Sequence, residues 1–64
     1  MLYNENIVYE RLLELYRMNR APVKVTLLAG FVQYSDRWIR HTLLALERRG
    51  VVARQGARGG WLPA

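Results

Sequence analysis

Residues 25–52, VTLLAGFVQYSDRWIRHTLLALERRGVV, carry two helical patterns with a turn between them and a β-branched run at the end. Leu28, Ala29 and Val32 recur at i, i+1 and i+4, the spacing that puts side chains on one face of a short helix. Ala29 is small where a second helix has to approach. Ser35 then offers a hydroxyl to the free N–H groups at the start of a new helix, and Asp36 adds a carboxylate beside the positive end of its dipole. A helix is therefore predicted over 35–49. Ile39, Leu43 and Leu46 lie on its inner side at intervals of four and three, and Gly50 takes the left-handed conformation of a C-cap.

The other side of that helix is chemically different. At about 100° per residue, Arg37, His41, Leu44 and Arg48 fall opposite the apolar stripe, with Arg40 on one flank and Trp38 on the other. Charge along the whole chain follows the same asymmetry. Up to Glu14 there are three acids and one base, whereas from Leu15 onward there are nine bases and two acids, for a net charge of +5. A positive lobe of this kind attracts polyanions, although such a charge also serves solubility alone. Nine of the ten bases are Arg, which bonds bidentately to guanine or phosphate as Lys cannot.

Flanking segments complete a small α+β unit. Sixty-four residues are expected to form a single domain, 1–64, hiding only about 60% of the surface of the unfolded chain. With no cysteine, packing alone must hold it. The first helix is expected over about 5–19, capped by Asn4 or Asn6. Met18, Leu15, Val8, Leu12, Tyr16, Tyr9 and Leu13 cover an arc of roughly 220°, wider than one core requires. The surplus side, Tyr9, Leu13 and Tyr16, is either covered by Leu2 and Tyr3, left half exposed, or used as a homodimer face. Pro22 ends the helix, and 23–25 reads as a very short strand before a helix at about 26–32. After Gly50, residues 51–62 read as a hairpin: a β-branched run, a glycine-rich turn, then Trp61-Leu62 closed by Pro63. Trp61 is expected in the core.

LA-x-x-V-x-Y-S from Leu28 to Ser35 and I-x-x-x-L-x-x-LE-x-x-G-VV from Ile39 to Val52 resemble bacterial winged helix-turn-helix domains over most of the chain. The resemblance implies a three-helix fold with an antiparallel hairpin, the wing. It also implies a second motif helix in the major groove and the wing along the backbone or minor groove. Two positions depart from the pattern. Gln33 stands where the turn often has Gly, so the backbone there is either left-handed or follows a different turn. Gly30 falls inside the first motif helix, where it costs about 1 kcal/mol relative to Ala, so that helix should be short.

The function that follows is sequence-specific binding to double-stranded DNA by a small transcriptional regulator. Arg37, Arg40 and His41 lie in the half of the helix where base edges are usually read. Lys24, Ser35, Arg48, Arg54 and Arg58 are candidates for phosphate, with Trp38 against sugar or the preceding helix. Leu44 suits a thymine methyl or the base of the wing. The alternative is a winged helix used for protein contact, as an adaptor or a subunit of a larger nucleoprotein assembly. No acid pair with a partner base suggests catalysis, and His41 is the single histidine, so neither enzymatic activity nor a metal or other cofactor is expected. The chain stops soon after the wing, so no small-molecule effector is expected. Lacking an apolar run of about 18 residues or a leader-like start, the chain is expected to be cytoplasmic, with no membrane partner.

Overall fold

The computed structural model describes residues 3–56 and 59–64, in the order α1 (Tyr3–Asn19), α2 (Val25–Ala29), α3 (Asp36–Arg48), β1 (Val52–Arg54) and β2 (Trp61–Pro63). Three helices and a two-stranded antiparallel sheet make the winged-helix α+β fold. Every segment gives to one core: Val8, Leu12 and Leu15 from α1, Val23 before α2, Val25 and Leu28 within it, Ile39, Leu43 and Leu46 from α3, and Val52 and Trp61 from the hairpin. Full burial of one such aliphatic side chain stabilises by about 1.5–3 kcal/mol, and with no covalent staple these contacts hold the fold.

α1 starts earlier than the asparagines suggest. Both lie inside the helix, and the Asn4 side chain is engaged elsewhere, accepting from the Tyr34 hydroxyl at 3.0 Å. Of the wide apolar arc, Val8, Leu12 and Leu15 are buried and Tyr9 and Tyr16 pack half-buried against the core. Met18 is 70% exposed, because the last turn of α1 runs beyond the core it was expected to meet. The helix stops at Arg20, which has φ 54° and donates its N–H to the Tyr16 carbonyl at 2.7 Å. A left-handed cap at a residue other than Gly costs about 1–2 kcal/mol, and Pro22, two residues on, bars further helix.

The strand expected at 23–25 shrinks to one bridge. Val23 and Trp61 exchange N–H···O bonds, each of 2.7 Å, while Lys24 caps α2 in extended geometry and Val25 is already helical. Val25, in the first turn of α2, has its side chain buried in the core. α2 ends at Ala29 rather than near 32, with Gly30 in ordinary right-handed geometry. Arg20 is the sole non-glycine residue with positive φ among those described, so the turn through Gln33 uses no left-handed residue there.

Both ends of α3 are closed by local chemistry. The Trp38 N–H donates to Ser35 Oγ at 3.2 Å. At the other end Gly50, at φ 78°, donates to Glu47 O at 3.0 Å, and Val51 donates to Leu46 O at 3.2 Å. That pair of bonds is the Schellman arrangement, and it turns the chain directly into β1.

The hairpin pairs Val52 with Pro63, Ala53 with Leu62 and Arg54 with Trp61, so Pro63 lies within the strand instead of closing it. Gln55 N–H to Gly60 O at 2.9 Å closes the loop. A Cβ at Gly60 would sit 2.9 Å from the Val23 carbonyl oxygen, and one at Gly59 would overlap the Gln55 carbonyl. Glycine at 60 lets the hairpin lie against Val23, and glycine at 59 lets the loop close on Gln55.

Candidate nucleic-acid interface

The residues that bury α3 also aim its other side. With Ile39, Leu43 and Leu46 fully buried and Thr42 nearly so, helical geometry leaves Arg37, Arg40, His41, Leu44 and Arg48 pointing to solvent. Ser35, Arg37, Trp38, Arg40, His41 and Leu44 line one shallow depression of about 510 Å³. A second, of about 250 Å³, lies between α3 and the hairpin and is lined by Arg40, Leu44, Arg54 and Trp61. Arg40 and Leu44 belong to both, so the helix face and the base of the wing form one continuous surface.

Charge on this surface is divided. Among the described residues no carboxylate lies within ion-pairing distance of Arg37, Arg40 or Arg48. Arg49 is turned away, its guanidinium 2.8 Å from Glu5 on α1. Arg54 sits 5.6 Å over the Trp61 ring, with its Nε 3.2 Å from a Glu47 carboxylate oxygen. Among the arginines from α3 through the strand after it, those without an ion pair, Arg37, Arg40 and Arg48, therefore lie on the outward face, while Arg49 and Arg54 tie this region to α1 and to α3 itself.

The site residues expected from sequence divide in the same way. Ser35, Arg37, Trp38, Arg40 and His41 come together around one depression, and Arg48 is exposed one to two turns further along the same helix. Ser35 Oγ already accepts the capping bond, which leaves its hydroxyl hydrogen for a phosphate oxygen. Lys24 is exposed at the start of α2, and Arg54 reaches the surface only as the paired cation just described. Arg58 lies outside the described residues. Tyr9, Leu13 and Tyr16 lie along α1, half exposed.

Two contributors escaped the sequence reading. Tyr34 stacks on Trp38 with ring centroids 4.1 Å apart and bonds Asn4, so it locks the indole beside the cap of α3. Its only advance signal was the i, i+4 spacing to Trp38. Glu47 holds Arg54, a pairing across the Gly50 turn that helical periodicity does not reveal.

No helix among the described residues is long and apolar enough to cross a membrane. Comparison with curated proteins and with solved structures gave no match. A family model described as winged helix-turn-helix transcription repressor, HrcA DNA-binding, matches residues 3–64. An outward cationic helix beside a glycine hairpin is the surface such a domain needs, and the chain belongs to this family of sequence-specific DNA-binding domains of transcriptional repressors.

Proposed function

We propose that α3 lies in the major groove, with Arg37, Arg40 and His41 at base edges and the 55–60 loop against the backbone. Ser35, Lys24, Arg48 and Arg58 meet phosphates, Arg54 joins them beside the wing, and Trp38 packs against sugar. The observation that carries this reading is the open face of α3, where Arg37 and Arg40 border a depression and no carboxylate of the described residues is within ion-pairing distance of them. Arginine without an internal partner keeps its donors for guanine O6 and N7 or for phosphate.

One copy of such a domain reads too few base pairs to select a single genomic site. Pairing of two copies through Tyr9, Leu13 and Tyr16 gives two half-sites about one helical turn apart. Half-exposed aromatic and aliphatic side chains on α1 support that arrangement. The molecular mass in solution tests it: a dimer that Leu13→Glu converts to monomer is expected, and a parent that stays monomeric at high micromolar concentration removes it.

Selection of bound duplexes from a random pool, at two salt concentrations, tests the DNA reading. A defined motif is expected, with affinity falling steeply as counterions compete for the phosphates. The competing reading, a protein adaptor, draws on the exposed Phe31 and Leu27. It predicts that no sequence is enriched.

A further inference from the structure

Leu44 is the one apolar side chain among the outward residues of α3 that also belongs to the hairpin junction. It is 36% exposed, and it lines both the depression shared with Trp38, Arg37 and His41 and the one shared with Arg54 and Trp61. Arg40 and Arg54 line the second depression with it, and their aliphatic stems add apolar wall, the Arg54 head lying over the Trp61 ring and against Glu47. Trp61 supplies the floor of the second depression and is itself held in the core. The result is a small apolar notch bordered by two arginines, continuous with the Trp38 indole that lines the first depression.

A notch of that chemistry in the major groove matches one feature of base pairs. Bases present donors and acceptors to the groove, and the only alkyl group there is the 5-methyl of a pyrimidine. Resting on the reading that α3 enters the major groove, we infer that Leu44 is a specificity-determining residue for a 5-methyl pyrimidine. Thymine and 5-methylcytosine carry that group in the same place. Four helical residues separate Arg40 from Leu44, a rise of about 6 Å, against about 3.4 Å per base step. The methyl therefore lies within about two base pairs of the position read by Arg40.

The test starts from the duplex selected by the parent protein. Each thymine is replaced in turn by uracil, which removes only the methyl, and each cytosine by 5-methylcytosine, which adds only the methyl. Binding is measured for the parent and for Leu44→Ala, a change at an exposed position that leaves the core intact. The expected result is a single position at which the methylated base binds about fourfold more tightly, with that preference absent in Leu44→Ala. A response in the uracil series identifies thymine as the natural source, and one in the 5-methylcytosine series identifies a methylated operator. Indifference to the methyl at every position, or a preference that survives in Leu44→Ala, overturns the inference while leaving the groove placement standing. Failure of the parent to select any duplex overturns both.

Discussion

On the inner side of α3, Ile39, Leu43 and Leu46 have no exposed surface, whereas Arg37, Arg40, His41 and Leu44 on the outer side are open to solvent. The two sides share one backbone, one N-cap and one C-cap, so their difference isolates what each set of side chains does. The inner set fixes where the helix sits. The outer set is open to choice for chemistry, because none of it is buried in the core. The same division separates the cations: Arg49 and Arg54 are paired and fasten elements together, while Arg37, Arg40 and Arg48 have no ion-pair partner among the described residues.

The largest effect belongs to the inner side. Leu43→Ala should lower stability by about 2–5 kcal/mol, the cost of a lost buried side chain plus the cavity it leaves. Chemical denaturation measures this directly, and a loss below 1 kcal/mol would mean that the two faces are less distinct than their burial suggests. On the outer side, Arg40→Ala should weaken binding by about 1–3 kcal/mol and relax preference at one base position. Its unfolding midpoint should hardly move. A fall in stability as large as that of Leu43→Ala would erase the contrast.

Smaller effects sharpen the boundary between the faces. Ser35→Ala removes the cap and should cost about 1 kcal/mol of stability. It also deletes the phosphate donor proposed above, so both readouts should change together. Replacement by Gly tells them apart, since it restores most of the cap's stability contribution but no hydroxyl. Arg49→Ala breaks an ion pair whose guanidinium is half exposed and whose Glu5 side chain is 13% exposed, and should cost about 1 kcal/mol, with little change in DNA affinity. Should Arg49→Ala weaken binding as much as Arg40→Ala, the assignment of Arg49 to fastening alone would fail.

What could be read in advance was whatever depends on near neighbours in the chain. Ser35, Gly50 and the Ile39, Leu43, Leu46 stripe define α3 through bonds and contacts spanning a few residues, so its inner and outer faces followed from the sequence. Trp61 belonged in the core for want of another place to bury an indole in so small a domain. The failures lie where distant segments compete. Val25 reads as strand beside Val23 and Lys24, yet the core takes it into α2. Met18 sits on the apolar arc of α1 but beyond the end of what that arc covers. The Arg49–Glu5 pair joins residues 44 apart, and no local pattern predicts it. For the interface, residue identity and helical phase reveal which side chains share a face. They do not reveal that Glu47 holds Arg54, or that Tyr34 braces Trp38, because both depend on how a turn closes.

The central claim is that the outward face of α3 reads bases. Parallel selections from one random pool with the parent, Arg40→Ala and Arg49→Ala test it most directly. The account predicts the same motif for the parent and Arg49→Ala, and for Arg40→Ala a motif that loses preference at one position and keeps the rest. An unchanged motif for Arg40→Ala, or equal loss of preference at every position, would contradict it.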